Sequence, residues 1–132
     1  DDVRFVNRQP GSSTRFLVGL MLQEENIATS SVSGFEDSEF THMAIAAHIA
    51  SGMADVGIGV QTAAHRFGLD FIPLVRERDF FALNRNSLQQ INVEKFIHFM
   101  RSQDYLQFLG QLVGYDATEA GKIQTLDEAF ND

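Results

Sequence analysis

The sequence predicts an α/β fold, a parallel or mixed sheet with helices on its faces, followed by a purely helical segment. Two observations carry this. Up to about Leu83, short apolar runs of strand length alternate with stretches whose apolar residues recur at helical spacing. From Ser87 onward only the helical spacing remains. The chain has 132 residues, 44% of them hydrophobic, which suits a domain of ordinary size with a core of its own. The division expected is an α/β lobe over residues 1–85 and a helical segment over 86–132.

Each element follows from local chemistry. Val3–Val6 is a short apolar run and reads as a strand. Asn7-Arg8-Gln9-Pro10-Gly11 breaks it, because Pro and Gly punctuate regular structure. Ser12-Ser13 offers an N-cap, since a hydroxyl accepts from the first free helical amides. Phe16, Leu17, Leu20 and Met21 then give the first helix an apolar face. Ile27 to Asp37 is polar and loop-like, with a strand expected near Ser33–Phe35. A second, Ala-rich helix runs from Thr41 to Ser51, with Met43, Ala44, Ala47 and Ile49 to pack and Gly52 to end it. Ala54 to Gly59 reads as a buried strand, and Gln61 to Phe67 as a short helix closed by Gly68. Phe71–Val75 and Phe80–Leu83 are strand-like runs separated by the charged turn Arg76-Glu77-Arg78-Asp79. Beyond Ser87, Val93, Phe96, Ile97 and Met100 form one helical stripe, and Leu106, Leu109, Leu112 and Val113 form another. The tail from Gly114 is polar, with a last turn at Leu126–Phe130.

Composition narrows the function. The net charge of −8 and pI near 4.8 argue against direct nucleic-acid contact, which needs a basic patch. They leave an anionic ligand open, because a pocket can be locally positive on a negative protein. There is no Cys, so disulfides and thiolate metal sites are excluded. No apolar run approaches the roughly 20 residues that span a bilayer, so membrane insertion is not expected. The chain opens Asp1-Asp2-Val3 and reads as a fragment of something longer.

The strongest chemical signal is Gly11-Ser12-Ser13-Thr14-Arg15 at a strand-to-helix turn. A helix start presents free N–H groups and the positive end of the dipole. Gly11 lets backbone approach a ligand, the hydroxyls add neutral donors, and Arg15 adds a planar fork suited to oxyanions. Together these make an anion cradle. The same residues also read as an ordinary cap with a solvated Arg, and both readings stand. Thr41-His42 marks a second helix start, and open α/β sheets bind ligands beyond the carboxyl ends of their strands. Ordinary capping, with His42 on the surface, is the alternative. Gly57-Ile58-Gly59-Val60-Gln61-Thr62 offers close backbone approach or simply tight packing. His48, His65 and His98 sit on separate elements, so no metal site is expected. The scattered acids form no clear acid/base dyad, and no phosphate loop or nucleophile elbow is present. An enzyme is therefore not expected.

These residues resemble a known family. Phe5-Val6-Asn7-Arg8-Gln9-Pro10-Gly11-Ser12-Ser13-Thr14-Arg15 resembles a segment of the periplasmic-binding-protein-like substrate-binding domain associated with molybdate. Thr41-His42 before an Ala-rich helix is similar to that family, as are Ser51-Gly52-Met53-Ala54-Asp55-Val56-Gly57 and Gly68-Leu69-Asp70-Phe71-Ile72-Pro73-Leu74. Gly114-Tyr115-Asp116-Ala117-Thr118-Glu119-Ala120-Gly121 looks like its C-terminal signature. The chain departs from the pattern at Gly59-Val60-Gln61, where a Tyr is often found, and at Ser13, which replaces a Gly. Such domains occur fused to helix-turn-helix DNA-binding heads and to molybdopterin-biosynthesis proteins.

The resemblance implies a type II, two-lobed clamshell. One lobe lies in residues 1–85, and the helices of 86–132 return to the other, absent lobe. It implies a domain that binds or senses a small oxyanion, molybdate or tungstate first, through Gly11, Ser12, Ser13, Thr14, Arg15, Thr41, His42, Gly59 and Gln61. No cofactor is implied. Two copies could cover each other's exposed helical stripes as a homodimer. The location expected is the cytoplasm, or the periplasm if a signal peptide has been removed. The rival reading is the effector domain of a LysR-like or other helix-turn-helix transcription regulator that senses a small organic acid. A third is an enzyme domain of molybdenum-cofactor synthesis, which lacks a catalytic constellation here.

Overall fold

A computed structural model describes residues 3–130. The outermost residues of the two expected segments, 1, 2, 131 and 132, lie outside the described residues. The chain forms two compact units, one running to Pro73 and the other starting at Leu74.

The first unit is built on three parallel strands in the order β2-β1-β3, with β1 at Phe5–Arg8, β2 at Ser38–Glu39 and β3 at Val56–Gly57. Helix α1 (Ser13–Glu24) crosses from β1 to β2, and α2 (His42–Ala50) from β2 to β3. A short α3 (Gln61–Arg66) follows β3. Hydroxyl caps start the two longer helices, as the sequence predicts. Ser12 Oγ accepts from Arg15 N at 3.1 Å, and Thr41 Oγ1 accepts from Ala44 N at 3.0 Å. The core is Val6 of β1, Ile45 of α2 and Ala54, with Ile49 packed against them.

The strands differ from expectation. β1 lies at Phe5–Arg8 rather than Val3–Val6 and takes in residues expected to break it. A polar Asn7 is tolerated in the buried centre because both polar atoms of its side chain are hydrogen-bonded. Its Nδ2 donates to Phe35 O at 3.1 Å, and its Oδ1 accepts from Arg8 N at 2.9 Å. The strand expected near Ser33–Phe35 is a turn. Phe5 N donates to Ser33 O and Asn7 N to Asp37 O, so the partner chain advances four residues while β1 advances two. Gly34, Phe35 and Glu36 loop out between those bonds, and pairing resumes at Ser38–Glu39. Gly34 adopts φ 83° and presses against the Phe5 backbone, where any side chain would collide. The expected strand Ala54–Gly59 contracts to Val56–Gly57, with Val56 exposed.

The helix faces also shift. α1 buries Thr14 and Val18, one turn apart, while Phe16 is 70% exposed and Leu20 is exposed too. α2 buries Ile45 and Ala46, with Met43, Ala44, Ala47 and Ile49 half-buried around them.

In the second unit, Phe80–Leu83 is not a strand, and neither is Phe71–Val75, which straddles the two units. Pro73 has no N–H to give a ladder. The Phe rings find other rings instead: Phe80 lies 5.7 Å from Phe130, and Phe81 meets Phe96 edge-on at 5.0 Å. Helices α4 (Ile91–Met100), α5 (Gln103–Gly110) and α6 (Leu126–Phe130) fall where the stripes and the last turn predict. Val93, Ile97 and Met100 are half-buried, as are Leu106, Leu109 and Leu112. Phe96 and Val113, also in the stripes, are exposed. Among the described residues, no helix is long and apolar enough to cross a membrane.

Candidate ligand-binding site

Because the three strands are parallel, the chain leaves all of them at one edge of the sheet. It leaves β1 at Arg8, β2 at Glu39 and β3 at Gly57, and α1, α2 and α3 start from that edge. The expected site residues lie on these connections. Gly11 is exposed, with φ 86°, at the tip of the β1–α1 turn. Ser12 is half-buried and spends its hydroxyl lone pair on the α1 cap, while Ser13 is exposed. Thr14 is buried. Thr41 caps α2 and is exposed. Gly59 packs beside His42, 3.5 Å from its Nδ1 measured from the position a Cβ would take. Gln61 opens α3 with its side chain exposed.

Arg15 reaches back over the strand end. Its Nη1 donates to Arg8 O at 3.3 Å, and its Nη2 to Glu36 Oε2 at 2.8 Å. Its guanidinium lies over the Phe35 ring, 4.9 Å from the centroid. The looped-out residues 34–36 therefore supply both the ring and the carboxylate that hold this cation.

The residue the sequence reading missed is Arg8, taken there as part of a strand break. It ends the central strand and ties it to the start of α2. Its Nη1 lies 2.8 Å from His42 Nε2, its Nη2 donates to Phe40 O at 3.0 Å, and its Nε donates to Gln9 Oε1 at 3.2 Å. Arginine only donates, so the ring nitrogen accepts in this contact. A cation two residues before the Pro-Gly turn was the available signal. Arg8 thus joins Arg15, through the Arg8 carbonyl, to Phe40 and to His42, beside which Gly59 packs. Gly11, Ser13 and Gln61 stand on the same edge without a side-chain link to this cluster. Glu39 turns away to His48, whose Nδ1 lies 3.2 Å from Oε1.

The opposite edge has a different character. Arg4 donates to Asp55 from its backbone N (2.8 Å), its Nε (3.0 Å) and its Nη2 (2.8 Å). These bonds, the side-chain ones foremost, lower the Asp55 pKa from the usual 3.8 to about 2. This pair fastens the starts of β1 and β3.

The parallel sheet and its convergent helix starts have a counterpart among known proteins. The sequence profile of the PBP superfamily domain matches residues 1–101. The chain belongs to the PBP superfamily. The mixed α/β structure with its small parallel sheet agrees with this membership, and the periplasmic-binding-protein-like fold is thereby established. Two relatives are similar in sequence. "Uncharacterized protein YvgK" of Bacillus subtilis (strain 168) is 38% identical over 123 residues, covering 92% of this chain and 39% of YvgK. "Uncharacterized protein in ferredoxin 2Fe-2S gene 5'region" of Clostridium pasteurianum is 31% identical over 96 residues, covering 72% of this chain and 85% of that protein. This PBP-superfamily chain thus spans well under half the length of YvgK. No solved structure matches it.

Proposed function

We propose that this chain is the anion-binding lobe of a type II periplasmic-binding-protein-like domain that senses or carries a small oxyanion, molybdate or tungstate first. The observation that carries the reading is the convergence of the α1 and α2 starts with Arg8 and Arg15 at one sheet edge. The backbone amides of Gly11, Ser13 and Thr14, the Ser13 hydroxyl and the α2 start at Thr41 and His42 donate to the ligand. Gly59 and Gln61 line its third side. Arg15 supplies the charge, and closure of a second lobe buries the ligand. The role is binding without covalent chemistry, in the cytoplasm, joined to a regulatory or molybdopterin-related partner domain.

A second reading, the effector domain of a regulator that senses a small organic acid, draws on one contact. Arg15 already holds a carboxylate, that of Glu36.

Calorimetry on the whole gene product with molybdate, tungstate, sulfate, phosphate and a panel of small carboxylates tests both. We expect molybdate to bind and Arg15→Ala to weaken it by about tenfold to a hundredfold, the worth of one charge-assisted hydrogen bond. An unchanged dissociation constant removes Arg15 from the site. Binding confined to carboxylates selects the second reading. Equal, weak affinities for all anions that fall in parallel with salt indicate nonspecific attraction instead.

A further inference from the structure

The Arg15–Glu36 pair is asymmetric. The Arg15 side chain is 15% exposed and fixed on three sides, by the Arg8 carbonyl, the Phe35 ring and Glu36. The Glu36 side chain is 83% exposed, and it accepts a hydrogen bond from Arg15. The cation is built in, and the anion rests on it from solvent. The carboxylate end of the pair is open to solvent, so a dissolved anion can reach the guanidinium and exchange with it.

Resting on the anion-site reading above, we propose that Glu36 is an internal competitor that occupies Arg15 in the empty protein and sets the affinity of the site. The tether of residues 34–36 holds its carboxylate at a high local concentration beside the guanidinium. A dissolved anion must exchange with it, and wild-type affinity is reduced by the fraction of time the pair is formed. Arg15 is the fork that receives the ligand, and Glu36 fixes how much ligand is needed.

The test measures molybdate, tungstate, sulfate and phosphate binding by calorimetry on the whole gene product. It compares wild type, Glu36→Gln and Asp37→Asn. Asp37 is the exposed neighbour in the same loop, so its variant removes the same charge without touching the pair. We expect Glu36→Gln to bind at least about twofold more tightly, the gain when a pair formed half the time no longer competes, and Asp37→Asn to match wild type. Binding that Glu36→Gln leaves unchanged or weakens overturns the proposal and leaves the anion site standing. Equal tightening in both variants overturns it too, because net charge then explains the gain. If none of the three proteins binds any of the four anions, this proposal and the anion site both fail.

Discussion

Asp55 accepts three hydrogen bonds from the single residue Arg4, and that geometry links its titration to folding. Its pKa is lowered from the usual 3.8 to about 2 in the folded chain. A depressed carboxylate contributes stability above its unfolded pKa and loses it as pH falls through the folded one. The contribution of Asp55 is therefore complete above about pH 5 and lost progressively as pH falls through about 2 toward 1. Urea midpoints for wild type and Asp55→Asn should differ most near neutrality and converge as pH drops through that window; a gap that does not narrow between about pH 5 and pH 2 contradicts the assignment. In the sequence, Asp55 was visible only as part of an Ala-Asp-Val-Gly strand. Its partner Arg4 is 51 positions away, beyond the reach of any local pattern. Arg8 was hidden for a related reason. A strand of four residues can include Asn7 and Arg8 only because the buried amide is satisfied by Phe35, a contact no periodicity reveals.

Helix starts were legible where strands were not. Ser12 and Thr41 cap the helices expected of them because a cap is a local bond, three residues long, between a hydroxyl and an amide. Strand limits depend on which distant backbone arrives alongside, and here two of the three strands are only two residues long. The Gly57 motif shows how the two scales meet. The sequence left it open between ligand approach and tight packing, and the geometry favours packing. A Cβ on Gly57 would lie 2.8 Å from both Ile45 Cγ2 and Val6 O, so β3 and α2 approach β1 as closely as backbone permits. Gly57→Ala should lower stability by about 1–3 kcal/mol through overpacking, read from denaturant midpoints. A neutral substitution would mean that α2 can slide away from the sheet.

Taken as a whole, the molecule divides its apolar side chains unevenly. Val6, Val18, Ile45, Ala46, Ala54 and Ala63 are buried in the first unit, whereas Ala129 is the buried hydrophobic residue of the second among the described residues. Phe81, Ile91, Phe108 and Leu126 remain more than half exposed, Leu126 at 77%. Apolar surface of that extent favours association. Residues 1–132 expressed alone should form dimers or larger species in light scattering, and a monomer at the highest soluble concentration would refute this. The sheet order adds a consequence in time. β1 lies between β2 and β3 but precedes both along the chain. Synthesis proceeds at about 5–20 residues per second, so Phe5 waits roughly 3–10 seconds for Val56, its partner in the sheet. During that interval the nascent strand has one edge without its neighbour, and the middle strand of the three is made before either strand that flanks it.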